Sequence, residues 1–360
     1  MADTTAEANL TPQQWDAKYF REYLEKNRFS KEMGTGTNNV IQVKEDLVKK
    51  KGDKVTFALV NRLSGAGVTG NATLEGNEEA MSQRSATVTI ERFRNGVRSD
   101  DWDEQLSAIP LRQAARDTLM DWSMEKLRDH VIVALGGINR VAYASATETQ
   151  KDAWLVDNAD RVLFGAAKGN NAANDHSAGL AAIDNTADKF GPDALSLMKR
   201  MALEASPKIR PIRTTEDRRM YVVYAGTRTF RDMRSNSAFT QAQREVSWLQ
   251  QNQKLFQSGD LLWDDCIIKE IPDLPIYTGV GAGSIDVAPV YLCGAQAIGF
   301  AWAKRWKTAA ETFDYGSKKG VAVDGMYKAD KLLFGSGTND TDDLQDHGVV
   351  TGYFAAVADA

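Results

Sequence analysis

At 360 residues the chain can bury one large or two modest cores, and a hydrophobic fraction of 42% excludes a mainly disordered protein. A net charge of -5, with both signs spread along the sequence, excludes a general attraction for nucleic acid or anionic lipid, which calls for a basic surface. Two cysteines, Cys266 and Cys293, exclude a disulfide framework and sit in apolar runs that suit buried thiols.

The first residues, Met1 to Glu7, carry neither the positive region nor the apolar run of a signal peptide. No stretch free of charge reaches membrane-spanning length, so cytoplasmic synthesis and no membrane partner are expected. Residues 12–29 predict a surface helix. Trp15, Tyr19, Tyr23 and Leu24 recur at near-helical spacing among charged residues, behind a Thr11-Pro12 start. Gly34 to Asn38 ends that pattern, and Val40 to Val43 reads as a strand. The helix has no large partner nearby in sequence; it packs on its own chain or on a neighbour.

Lys54 to Val60 reads as a strand, and Ala86 to Phe93 as another whose alternation slips near Arg92. Between them stand Gly65, Gly67, Gly70 and Gly76 amid small and polar residues, so the segment predicts a two-stranded arm with a loose tip. An isolated pair of strands is marginal in water. Its Val/Phe/Leu face therefore needs another surface: an adjacent subunit, or, in the plainer reading, a sheet of its own chain. Asn71-Ala72-Thr73 fits the glycosylation pattern but reads as loop.

A long helix follows from Asp101 to about Leu135, with Asp100, Asp101, Asp103 and Glu104 suited to its positive end. Pro110 bends or divides it, and Gly136-Gly137 stops it. Residues 137–186, rich in Ala, Asn, Asp and Gly, predict a long surface insertion with short structured pieces. Order resumes in a proline-started helix over 191–202, with Leu195, Met198 and Ala202 on one face. Strands are expected at Tyr221 to Ala225, Leu261 to Trp263, Cys266 to Ile271 and Val290 to Cys293, with a helix from Arg228 to Met233. Ala322, Met326 and Leu332 to Gly335 mark structured chain near the end. The sum is an α+β protein with a compact C-terminal lobe and extended N-terminal elements.

Chemistry-bearing patterns are sparse. Gly279-Val280-Gly281-Ala282-Gly283-Ser284 has the wrong spacing for a dinucleotide fingerprint and reads as a flexible loop. His130, His176 and His347 lie far apart, without metal-ligand spacing. Asp264 and Asp265 point to opposite faces if their segment is extended, and the Asp100 group suits helix capping. Arg210, Arg213, Arg218, Arg219, Arg228, Arg231 and Arg234 make one stretch basic, for solvent, intersubunit ion pairs or enclosed DNA. Trp248, Phe256 and Trp263 lack the dense basic setting of a base-stacking surface. The one strongly acidic bunch is Asp340, Asp342, Asp343 and Asp346. No catalytic, cofactor-binding or metal residue is assigned, and no cofactor is expected.

Several stretches, taken in order, resemble the major capsid proteins of tailed phages in the family related to the N4 phage shell protein. They are Lys51 to Phe57, Gly259-Asp260-Leu261-Leu262-Trp263, Leu292-Cys293-Gly294-Ala295-Gln296-Ala297, and the closing stretch from Tyr315-Gly316-Ser317-Lys318-Lys319-Gly320 to Leu333-Phe334-Gly335. The resemblance covers essentially the whole chain. It implies an HK97-like major capsid fold: N-terminal arm (1–51), extended β-hairpin loop (52–98), peripheral domain with spine helix and insertion (99–187), axial domain (188–300), and a return to the peripheral domain (301–360). It implies a non-enzymatic subunit whose copies form hexamers and pentamers of an icosahedral virion shell around double-stranded DNA. Portal, scaffold and decoration proteins are the further partners it implies, with assembly in the bacterial host cytoplasm. A nanocompartment shell protein of the encapsulin type, or an enzyme with an unrecognised site, is the alternative.

Overall fold

The computed structural model describes residues 28–49, 52–60, 63, 65, 67–71, 73–81, 83–107, 109–214, 217–242, 260–335 and 344–359. The helix expected over 12–29 lies outside these residues except for Arg28 and Phe29, as do Trp248, Phe256, Asp340, Asp342 and Asp343.

Among the described residues the first elements are β1 (Met33–Gly34), β2 (Ile41–Lys44), α1 (Asp46–Lys49), β3 (Lys54–Val60), β4 (Gln83–Thr89) and β5 (Glu91–Asp100). Next come α2 (Asp101–Leu106), α3 (Leu111–Leu135), α4 (Glu148–Asp157), β6 (Val162–Phe164), α5 (His176–Ala181) and α6 (Pro192–Glu204). β7 (Ile212–Arg213), β8 (Arg219–Ala225), α7 (Thr227–Ser235), β9 (Leu261–Trp263), β10 (Cys266–Glu270) and β11 (Val287–Cys293) follow. The chain closes with β12 (Ile298–Phe313), β13 (Lys318–Lys331), β14 (Leu333–Gly335), β15 (Leu344–Asp346) and β16 (Val349–Ala355).

Two compact units result, with their boundary falling inside α3, β12 and β13. Among the described residues the larger holds those of Arg28–Ile90, Asp129–Ala303 and Tyr327–Ala360. Its main sheet runs β6–β16–β11–β8–β10–β9, with β7 on β8. β8 is buried from Tyr221 to Ala225 and β11 throughout, which is why both read as unbroken apolar runs: each is covered on both faces. On one face α6 lays Leu195, Met198, Met201 and Ala202 against Val223, Leu292 and Phe354. Pro192 starts α6 in its first turn, where a missing N–H costs nothing.

The other face overturns the surface-insertion expectation for 137–186. Trp154, Leu155, Val162, Phe164, Leu180 and Ile183 are buried there with Val287, Tyr353 and Ala355 as a second core. The small and amide residues that suggested solvent serve the packing. Asn158 donates to the carbonyls of Trp154 (2.9 Å) and Leu344 (3.1 Å), and Asn170 to that of Phe164 (3.0 Å). Such side chains satisfy backbone groups where no ladder reaches them.

The smaller unit contains Glu91–Arg128 and Lys304–Met326 among the described residues. Here β12, β13 and β5 lie side by side in that order. Leu119 of α3 buries against Val321, Val323 and Trp306, and Trp122 meets Trp306 edge-on at 5.8 Å. Pro110 does divide the expected helix, into α2 and α3. Asp100 caps α2 by accepting from the Trp102 N–H at 3.1 Å.

Candidate assembly surfaces

β3 and β4 pair antiparallel from Lys54↔Thr89 to Val60↔Gln83. The register carries one step further at the root, where the Ile90 N–H donates to the Asp53 carbonyl at 2.8 Å. At the root, Val55, Phe57, Ala86 and Val88 form a core with Ala301, Leu332 and Phe334. Gly299 makes this approach available: a Cβ there would stand 3.0 Å from the Phe57 ring. Lys44 lies 4.5 Å over that ring and donates to the Thr56 carbonyl at 2.8 Å, while Arg84 donates to the Gly335 carbonyl.

Beyond the root the same ribbon is bare. Val60, Leu63, Leu74 and Met81 are 56–61% exposed, a concentration of apolar surface that water does not favour. Three glutamates, Glu75, Glu78 and Glu79, sit among them, and no Lys or Arg occurs from Leu63 to Ser82. The tip is partly self-bonded: Glu79 accepts from the Gly65 N–H at 2.6 Å and Glu78 from that of Gly76 at 2.8 Å.

The smaller unit carries a surface that the sequence did not announce. A groove of about 360 Å³ opens on its sheet, lined by Val97, Arg98, Ala309, Glu311, Phe313 and Ala322 among others. Small residues make its floor: a Cβ on Gly96 would be 3.3 Å from that of Ala322, and one on Gly320 would be 2.8 Å from the Phe313 ring. Arg94 and Arg98 have no ion pair among the described residues. Arg92 instead grips Asp324 with two hydrogen bonds (2.9 and 3.1 Å), joined by Lys304, and these cations hold the Asp324 carboxyl well below the usual range. Beside the groove the Asp101 N–H bonds the Ser317 carbonyl at 2.9 Å, leaving Trp102, Leu106 and Tyr315 exposed.

The residues singled out from sequence are distributed as follows. Asp264 and Asp265 are not extended; both take positive φ (46° and 57°) in the two-residue turn between β9 and β10. That geometry turns both carboxylates onto Lys199 Nζ, at 2.7 and 2.8 Å, correcting the expectation of opposite faces. The Gly279–Ser284 segment is a loop in which Ala282 donates to the Ile183 carbonyl at 2.9 Å and Gly281 to that of Ile285 at 3.0 Å. His130 shares a 2.9 Å hydrogen bond with Tyr327, whereas His176, expected in a surface insertion, is fully buried. Of the basic stretch, Arg228 pairs with Asp286 (2.7 Å), Arg231 with Asp232 and Asp359, and Arg213 with Asp217 (3.3 Å). Cys266 and Cys293 are buried free thiols, and burial pushes the Cys266 thiol up to about 12. Sequence reading missed a buried pair, Lys331 Nζ to Asp346 Oδ2 at 2.6 Å. Among the described residues no cluster has the makings of a metal site, and no helix is long and apolar enough to cross a membrane.

A family model described as phage capsid protein matches residues 3–358. The chain belongs to the phage capsid protein family. This capsid protein is 24% identical over 366 residues to the major capsid protein of Pseudomonas phage KPP25, covering 97% of each chain. The solved capsid asymmetric unit of cyanophage Pam1 matches with a TM-score of 0.88 and 30% identity over 100% of both chains. The capsid of Ralstonia phage GP4 matches over 100% of both chains with a TM-score of 0.76 and 23% identity, a likeness of fold. The α+β, HK97-like fold expected from the sequence is therefore the observed one. The function is that of a phage major capsid protein, whose copies associate into the virion shell.

Proposed function

We propose that this capsid protein closes into hexamers and pentamers of an icosahedral shell, with the β3–β4 hairpin of each copy lying across its neighbour. The observation that carries the reading is the contrast along one ribbon: a root packed on its own chain and a tip with four exposed apolar side chains. Covering that tip removes apolar surface from water at roughly 25 cal/mol per Å², less the cost of ordering. The apolar lining of the groove suits the apolar tip, and Arg98 offers its glutamates a cation beside the groove's own Glu311, which favours the groove of another copy as the surface covered. The larger unit, built on the seven-stranded sheet, takes the axial role in this reading, and the smaller unit the peripheral one. Residues 137–187 go with the axial sheet, because β6 pairs with β16. Portal, scaffold and decoration proteins are the further partners, double-stranded DNA is enclosed without sequence-specific contact, and assembly proceeds in the bacterial cytoplasm.

Electron microscopy of the purified chain is expected to show capsomers or closed shells. A stable monomer at high concentration, with the amides of 63–81 protected from exchange, counts against the reading. Reversing Arg98→Glu is expected to cut particle yield about tenfold, on the scale of one interfacial charge contact. Combining it with Glu75→Arg restores part of that yield.

A further inference from the structure

His176 opens α5 and is fully buried. Tyr143, Phe164 and Tyr353 surround its ring, with centroids 5.7, 5.8 and 5.4 Å away, the last two edge-on. Neither ring nitrogen has a hydrogen-bond partner; Nδ1 lies 3.7 Å from Glu148 Oε2, past hydrogen-bond reach. The charges facing this box come from two elements. α4 supplies Glu148, Lys151 (4.4 Å over the Tyr143 ring) and Asp152, whose Oδ1 accepts the His176 backbone N–H at 2.8 Å. α5 is preceded by Asp175, already engaged by the Ala178 N–H (2.9 Å) and Ser177 Oγ (2.8 Å). β6 and β16 contribute only Phe164 and Tyr353. α5 has no slack against β6, since a Cβ on Gly179 would stand 2.9 Å from the Phe164 ring. Close-packed elements of this kind separate in steps rather than deform.

We propose that α5 is an acid-released latch: a proton on His176 drives its ring out of the aromatic box and unseats α5 from β6 and β16. A neutral imidazole is tolerated among rings, but an imidazolium there has two donors, a full charge and no acceptor. Glu148 is more than half exposed, so water screens its attraction, and Lys151 opposes it. Burial already holds the imidazole down at about 4, from an ordinary value of 6.5. The open form therefore binds the proton more readily than the closed form. The latch is at full strength above pH 6.5 and weakens as pH falls towards 4, its opening equilibrium rising on the order of a hundredfold.

Hydrogen exchange, expressed as protection factors at pH 7 and pH 4.5, tests this in the full chain and in assembled particles. Wild-type protection over residues 176–183 is expected to fall by tens of fold, and in His176→Phe to stay put. His176→Gln serves as a second variant if the larger ring perturbs folding, and is expected to behave as His176→Phe does. The local readout matters because His347, partly buried and also held down at about 4 by desolvation, adds its own acid sensitivity elsewhere. Acid release that persists in either folded variant, or wild-type protection unchanged at pH 4.5, overturns the proposal.

Discussion

Replacing residues 61–82 with a two-residue Asn-Gly turn is expected to abolish shell formation and leave the subunit folded. Val60 and Gln83 form the last pair of the β3–β4 ladder, so a two-residue turn of the hairpin type closes the ribbon there without a change of register. Everything that anchors the root lies outside the replaced segment: Val55, Phe57, Ala86 and Val88 keep their contacts with Ala301, Leu332 and Phe334. Shortening the loop from 22 residues to two lowers the entropy cost of closing it by about 2 kcal/mol, so stability is unchanged or rises. What disappears is Leu63, Leu74 and Met81, three exposed apolar side chains that make no core contact in their own subunit. Urea denaturation together with electron microscopy separates the two effects. Shells at wild-type yield from the shortened chain would remove the hairpin from the assembly mechanism.

The root responds in the opposite way. Phe57→Ala takes a 2%-exposed ring out of the hairpin core and is expected to destabilise the subunit by about 3–5 kcal/mol. Denaturation of the subunit detects that loss before any assembly assay does. One ribbon thus contains a folding half and an association half, and variants in the two halves fail in different experiments.

Elements were legible in the sequence where a local rule set them. β3 runs from Lys54 to Val60 as expected because alternating burial along a half-covered strand is written in consecutive residues. The start of α6 at Pro192 and the division at Pro110 follow from the ring and missing N–H of proline. Elements set by distant partners were not legible. β12 and β13 went unread: beyond Trp302 the β12 side chains are mostly polar and exposed, and the strand is held by its neighbour rather than by its own pattern. The turn joining them places Asp314 and Tyr315 at φ 51°, a conformation that tyrosine does not advertise. Residues 137–186 misled for the same reason, since Trp154 and Phe164 gain their cover from Val287 and Tyr353, more than a hundred residues later. The groove beside Arg98 combines β5 with β12 and β13, and had no signal in any single segment.

The Lys331–Asp346 pair yields a stability effect on the scale of the Phe57→Ala loss. Its side chains are 3% and 2% exposed, and Nζ and Oδ2 are 2.6 Å apart. Lys331 also sits 5.3 Å over the Trp154 ring, and the Asp346 N–H donates to Asn158 Oδ1 at 2.8 Å. Lys331→Met keeps the apolar stem but leaves a buried carboxylate without its cation, at a cost of about 3–5 kcal/mol. The double variant Lys331→Met/Asp346→Leu is expected to recover most of that loss, because neither charge then needs to leave water. Calorimetry on the two variants and Asp346→Leu completes a double-mutant cycle. Additive losses would mean that the ion pair is incidental to packing. A large coupling energy with a near-neutral double variant would identify its role as positional: the charge pair ties the end of β13 to β15, and through Asn158 to α4, in one arrangement among several that apolar side chains tolerate.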